Sequence, residues 1–300
     1  MISVRAAAQA LVAVAVVSGA VGDRVPARTP VEIGGYQVLA ADFHVHSATW
    51  SDGALTPWGL VLEAQRQGLD VIAVTGHNQV SDGRVARWVA RELGGPLVLT
   101  GQEILAPHHH VIAVGIDRVV DSRLPVADQI DAVHQQGGVA IAAHPRTTFW
   151  PAFDSTALER LDGAEICHPV VYGRPDIQRE LEAFAEKGTF AAIGSSDFHG
   201  LGRMGMCRTL VFARDGSAPS VLEALRARRT VVYADGGHVF GPAELVQKAA
   251  RFPALREASV VTPPASPLDW ISRVTGLLGL VGLVLAGSGV RAGSFSAEQQ

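Results

Sequence analysis

Asp42-Phe43-His44-Val45-His46-Ser47 is the stretch from which the rest of the chain is read. It follows a mostly apolar run, Tyr36 to Ala41, that has the make-up of a short buried strand. His44 and His46 are two residues apart, and on a strand that spacing places both imidazoles on one face. Two neutral imidazoles side by side are half of a site for zinc, iron or manganese. Alone, such a pair is more often a set of ordinary polar or core histidines. Its meaning depends on what else the chain brings to the same point.

Further along, apolar segments recur and most of them end in ionisable residues. Val71 to Thr75 runs into Gly76-His77-Asn78, and Leu97 to Thr100 has Glu103 just past its end. His108-His109-His110 leads into Val111 to Val114. Val139 to Ala143 ends in His144-Pro145, Ala164 to Cys167 in His168-Pro169, and Phe190 to Gly194 in Ser195-Ser196-Asp197-Phe198-His199. Between them lie helical stretches. Thr56 caps a helix that has Pro57 in its first turn and stops at Gly68. Others cover 82–93, 126–136, 156–161, 175–187 and 219–227, and strands at 208–213 and 230–233 complete the series. Alternation of strand and helix predicts parallel strands joined by right-handed crossovers, and seven such units close into a barrel. His44, His46, His77, Glu103, His144, His168, Asp197 and His199 would then share the rim at the C-terminal ends of the strands. Burying such groups unpaired costs on the order of several kcal/mol each. A metal cluster satisfies them together.

Of the 300 residues 48% are hydrophobic, which supplies a core even with the apolar ends set aside. Charged residues make up 18% and the net charge is −4, so no basic patch suited to nucleic acid is present. Cys167 and Cys207 match no zinc-ribbon spacing. Two thiols are expected, with one disulfide as the alternative in an oxidising compartment. At the start, Arg5, an apolar run from Ala6 to Val17 and Ser18-Gly19-Ala20 form the pattern of a secretory signal peptide over 1–21, with an uncleaved anchor helix as the alternative. Residues 22–36 read as linker, 37–245 as the catalytic domain, and 246–269 as a second linker containing Pro263-Pro264-Ala265-Ser266-Pro267. Val274 to Val290 is a run of 17 residues without charge, flanked by Arg273 and Arg291 and preceded by Trp270. It predicts a transmembrane helix over 270–291 and a tail over 292–300. Together the ends place the folded middle at the cytoplasmic membrane, on its extracytoplasmic side.

Over roughly residues 37–240 the chain resembles the PHP (polymerase and histidinol phosphatase) family. The matching motifs are Asp42-x-His44-x-His46-Ser47, Ser51-Asp52-Gly53, Thr75-x-His77-Asn78, Glu103, His110 before an apolar strand, Ala143-His144-Pro145 and Ser196-Asp197-x-His199. Within the family it is most similar to the stand-alone CehA/McbA-like metallohydrolases. The resemblance implies an α/β fold, a distorted (β/α)7 TIM-like barrel, with two or three divalent metals (Zn, Mn or Fe) on its rim. His44, His46, Glu103 and Asp197 would hold one metal. Glu103 would bridge to a second, held also by His110 and His144. Asp52, His77 and His199 would hold a third. His110 is preferred to His108 and His109, read as exposed loop, because it abuts the strand. Asp52 stands where some relatives have histidine, and Gly76 replaces the usual aspartate of the second motif.

The implied reaction is hydrolysis by a metal-bound water held by Glu103, His144, Asp197 and His199. The expected substrate is a small anionic molecule, most simply a phosphoester, bound by His168, Arg146, Arg174 and Arg203. Carboxylic esters, carbamates or amides are the alternative substrates. A non-catalytic metal-dependent binding module at the membrane is the alternative of another class. His134 is expected on the surface, His238 in a loop, and Cys167 as a small buried residue.

Overall fold

The computed structural model describes residues 3–22, 25, 28–171, 174–234, 237–255 and 266–287. They fall into two compact units, Pro26–Val261 and the two ends, Met1–Val25 with Thr262–Gln300. The first end is the helix α1 (Val4–Gly22).

The large unit begins with β1 (Val31–Ile33), β2 (Tyr36–Val45), α2 (Pro57–Arg66), β3 (Val71–Val74), α3 (Ser81–Leu93), β4 (Leu97–Ala106) and β5 (His109–Val114). It continues with α4 (Val126–His134), β6 (Val139–Ala142), α5 (Ser155–Arg160), β7 (Gly163–Cys167), α6 (Pro175–Ala185) and β8 (Ala191–Gly194). β9 (Thr209–Ala213), α7 (Ala218–Arg226), β10 (Thr230–Tyr233), β11 (Val239–Phe240) and α8 (Ala243–Ala249) complete it. The other end is α9 (Pro267–Gly287).

Among the described residues the strands form one sheet in the order β11-β10-β9-β2-β3-β4-β5-β6-β7-β8, with β1 paired to β2. The sheet curls into a nearly closed barrel. Its seam is bridged by the Thr209 hydroxyl, which accepts from the Gly194 N–H and donates to the Gly194 carbonyl, both at 2.9 Å. The interior is filled by alternate residues of the strands, Leu39, Ala41, Phe43, Ala73, Leu99, Ile112, Ile141, Ile193 and Val211 among them. The opposite face, with Val38, Ala40 and Ile72, packs under Leu60, Ala64, Ala86 and Val89 of α2 and α3.

The expectation of parallel strands throughout needs correction. β2–β3, β3–β4, β6–β7 and β7–β8 are parallel, but β4–β5, β5–β6 and β2–β9 are antiparallel. A parallel neighbour needs a crossover of a dozen or more residues, and only Pro107 and His108 separate β4 from β5. β4 also runs through Glu103, which was expected beyond the strand end. Both stretches read as linker contain structure. β1 lies within 22–36, and residues 246–255 continue α8 and bury Ala249 and Leu255 in the outer core. The expected transmembrane helix starts at Pro267, within that second linker, and its residues 288–291 lie outside the described residues.

Cys167 and Cys207 are joined in a disulfide, with Cα atoms 5.6 Å apart. The expectation of two thiols is thereby overturned, because barrel closure brings the end of β7 against the approach to β9. His109 is buried, not exposed, and hydrogen-bonds Gln129 of α4 at 3.2 Å.

Candidate metal centre

Strand alternation alone would leave His44 and His46 on the wrong side. Leu39, Ala41 and Phe43 face the barrel interior, whereas Val45 belongs with Val38 and Ala40 in the outer layer. The register of β2 against β3 shifts between Asp42 and Val45. This bulge re-aims the end of the strand and gives His44 and His46 the inward parity. Asp42 holds the distortion. Its carboxylate, fully buried, accepts from the N–H groups of His44 (3.3 Å), Ser196 (3.0 Å) and Gly205 (2.8 Å) and from the Ser196 hydroxyl. One side chain thus ties the first histidine motif to the loop that carries Asp197 and His199.

Glu103 lies at the centre. Its Oε2 is 3.2 Å from His44 Nε2, 3.4 Å from His46 Nε2 and 3.0 Å from His77 Nδ1. Its Oε1 is 2.8 Å from His110 Nδ1 and 3.5 Å from His144 Nε2. Asp197 Oδ1 stands 3.2 Å from His44 Nε2 and 3.1 Å from His46 Nε2. At the mouth, Asp52 is 3.3 Å from His77 Nε2 and 3.2 Å from His199 Nε2. Four groups of mutually close donor atoms result: His44, His46, Glu103 and Asp197; Glu103, His110 and His144; His46, Asp52, His77 and His199; and, behind the first, His44, His144, Glu165 and His168. All nine residues expected as ligands fall into these groups.

These residues suit metal ions. His44 Nε2, His46 Nε2, His77 Nδ1, His110 Nδ1 and Asp197 Oδ1 are buried without a hydrogen-bond partner. Two donors each about 2.1 Å from one ion stand roughly 3.0–3.4 Å apart at octahedral or tetrahedral angles, which matches the separations above. The other ring nitrogens set the tautomers. His44 Nδ1 meets Glu165 Oε1 at 3.1 Å, His46 Nδ1 meets the Ser51 hydroxyl at 3.3 Å, and His199 Nδ1 donates to the Asp197 carbonyl at 2.8 Å. In each ring the Nε2 lone pair is left for a ligand bond. His46 can give only one such bond when neutral, so it belongs with Glu103 and Asp197 rather than with Asp52.

The carboxylates act most strongly on His44. Burial disfavours a charge on His44, but Asp197, Glu103 and Glu165 raise its pKa well above the ordinary value. Glu103, despite its burial, is held well below the usual carboxylate range by His44 and by hydrogen bonds from His110 and His144. Asp197, half-buried, is depressed by His44 and His168. Burial lowers His46. Metal loading near neutral pH must therefore displace a proton from His44. Titration of metal-free protein in two buffers of different ionisation enthalpy is expected to show at least one proton released per centre, and apparent affinity rising with pH.

Glu165 was missed in the sequence. It sits in the middle of the apolar β7, fully buried, and besides His44 its Oε2 accepts from the His144 N–H at 2.6 Å. A carboxylate flanked by Ala164 and Ile166 was the available signal. It orients two candidate ligands from behind, and such partners set metal affinity by roughly 10- to 100-fold. Glu165→Gln is expected to weaken metal binding by about that factor, measured by competition with a chelating dye.

His168 faces Asp197 Oδ2 at 3.3 Å through Nε2, while its Nδ1 accepts from the Val170 N–H at 3.1 Å. With that lone pair used, the neutral ring presents Nε2–H, a donor and not a ligand. The three arginines expected at the substrate are engaged elsewhere. Arg146 pairs with Glu180 at 3.2 Å, Arg174 with Asp176 at 3.0 Å, and Arg203 bonds the Gln67 side chain at 2.8 Å. His134 is half-buried against Asp162, and His238 is an exposed loop residue facing Glu182.

Gly76 has a spatial reason. A Cβ there would meet the Gln79 amide and lie 2.6 Å from Asp82 Oδ2. Asp82 is fully buried in the first turn of α3 and accepts from the Ser47 hydroxyl at 3.0 Å. A carboxylate from the helix thus occupies the space beside Gly76. Gly76→Asp is expected to crowd two carboxylates, displace His77 and cost about one metal equivalent per chain, read by elemental analysis. His144 (φ 27°) and Asp197 (φ 46°) adopt left-handed backbone conformations. Non-glycine residues hold these only under constraint, and they gather at functional sites.

Residues 178–230 match the family model described as PHP-associated. A crystal structure of a two-domain protein of Bacteroides vulgatus, containing a predicted PHP-like metal-dependent phosphoesterase, superposes with a TM-score of 0.59 at 24% identity. The match covers 76% of this chain and 74% of that one. The chain has a PHP-type fold. An uncharacterised protein of Methanocaldococcus jannaschii is 26% identical over 139 residues, 43% of this chain and 81% of its own length. A 5'-3' exoribonuclease of Haemophilus influenzae is 31% identical over 104 residues, 33% of this chain and 37% of that protein. The PHP-type barrel accounts for the mixed sheet, and its rim is where the donor groups lie.

Proposed function

We propose that this protein is a metal-dependent hydrolase of the PHP family's CehA/McbA-like branch, acting first on a phosphoester of a small anionic molecule. The observation that carries the reading is the set of buried, partnerless ring nitrogens converging on Glu103 and Asp197. His44, His46, Glu103 and Asp197 would hold one divalent ion, Glu103, His110 and His144 a second, and Asp52, His77 and His199 a third, with zinc, manganese and iron as the candidates. Such ions, when bound, polarise the scissile group and ionise water near neutral pH.

The chain's own residues do the rest. Glu165 and Ser51 fix the ring orientations of His44 and His46. The Nε2–H of His168 points at Asp197 Oδ2, 3.3 Å away, and steadies that carboxylate. Asp52, 57% exposed, marks the open side from which the substrate enters. The disulfide and the two apolar helices support a site on the extracytoplasmic side of the cytoplasmic membrane.

The test uses the full chain extracted in detergent, loaded with manganese, zinc or iron, and offered p-nitrophenyl phosphate, its diester and p-nitrophenyl acetate. Turnover of a phosphate substrate that disappears with chelator and returns with metal is expected. Turnover of the carboxylic ester alone would move the assignment to ester or amide hydrolysis. No turnover with any metal, in protein shown to contain metal, would leave a binding module.

A further inference from the structure

We infer that α1 is retained in the mature protein and forms, with α9, a two-helix hairpin embedded in the lipid bilayer. The inference is independent of the proposed activity. It rests on how the two helices fit each other.

They run antiparallel, and the contacts follow in order along both. Near one end a Cβ at Gly22 would lie 2.9 Å from Asp269 Oδ1. One turn further, the Ser272 hydroxyl donates to the Ala15 carbonyl at 2.8 Å. A Cβ at Gly276 would lie 3.3 Å from that of Ala15, and one at Gly279 would lie 2.9 Å from the Ala8 carbonyl oxygen. Gly279 therefore admits the backbone of α1 itself, an approach no larger residue allows. Close packing through small residues and a hydroxyl-to-carbonyl bond is how helices associate where water supplies no driving force. The helix also continues past the apolar run through Ser18, whose hydroxyl bonds the Val14 carbonyl at 2.6 Å. A leader that is cut away has no need of a fitted partner.

The outward faces carry the bulk. Val16 is 65% exposed and Leu277 66%. At 1.5 Å per residue the 19 and 21 residues of α1 and α9 reach about 28 and 32 Å, close to the roughly 30 Å hydrocarbon core. Charge is confined to the ends, with Arg5 at one and Asp269 and Arg273 at the other, where the Arg273 guanidinium lies 5.6 Å from the Trp270 ring centroid. Tryptophan beside arginine is the make-up of a headgroup boundary. The occupant of the outer face is therefore acyl chain, and the chain between the two helices leaves and re-enters at one membrane face.

The experiment uses the full chain in native membranes. Ala15→Cys with Gly276→Cys is expected to form an intrachain disulfide on mild oxidation, read as lost thiol labelling and a mobility shift that reduction reverses. Cys167 and Cys207 are already paired. A second pair, Gly19→Cys with Ser272→Cys, guards against local disruption, and Val16→Cys with Leu277→Cys is expected to stay unlinked. Intact mass should include α1, and alkaline carbonate should not release the protein. A mature chain lacking α1, free thiols in both facing pairs of intact chains, crosslinks only between chains, or release by carbonate would each overturn the inference.

Discussion

Glu103→Gln is expected to empty the centre of the site. Glu103 is the carboxylate common to two of the donor groups, and its two oxygens face five imidazoles. The amide keeps the shape but loses a charge that, after Asp197, holds His44 above its ordinary pKa, and its neutral oxygen is a poorer ligand for a cation than a carboxylate. Losing an outer partner typically costs roughly 10- to 100-fold. Losing a shared ligand should exceed that, and we expect metal content to fall by about two equivalents and hydrolysis by about 10³-fold or more. Elemental analysis and initial rates on the same preparation check both. A variant retaining full metal content and activity would remove Glu103 from the centre.

Asp42→Ala should act on stability instead. Its carboxylate reaches none of the donor atoms, yet it receives hydrogen bonds from Ser196, Gly205 and the His44 backbone N–H inside the protein. Burial pushes its pKa up, and the hydrogen bonds work in the other direction. Arg208, whose pKa burial lowers to about 10, supplies the nearest compensating field. Truncation strands the buried N–H groups and removes the stronger of the two carboxylate fields on Arg208, leaving Asp70, which typically costs about 3–5 kcal/mol. In a unit of this size that is a fall in melting temperature on the order of 10 °C. Differential scanning calorimetry of metal-free protein measures it without interference from ligand loss. An unchanged melting temperature would show that the β2 bulge holds itself.

What the sequence disclosed and what it hid follow different rules. The ligand candidates were legible because short apolar runs end in His77, His144 and Asp197, and a barrel rim gathers strand ends. His110 was legible only by its neighbour Val111, since the hairpin that reverses β5 lacks a two-residue glycine turn signal. Glu165 was hidden because it lies within an apolar strand and becomes meaningful only when His44, 121 positions away, packs against it. The β2 bulge and the left-handed His144 and Asp197 arise from long-range constraint and leave no local trace. The disulfide was illegible for the same reason, because cysteine spacing says nothing of which strand ends meet.

That bridge has a consequence for handling the protein. The segment it closes spans 40 positions and contains both Asp197 and His199. Chain-entropy reasoning gives a closed loop of that length about 4 kcal/mol. Material expressed in a reducing cytosol would lack this staple. Its metal stoichiometry would then describe a looser specimen than the disulfide-closed one, and oxidising hosts are the appropriate source for any enzymology.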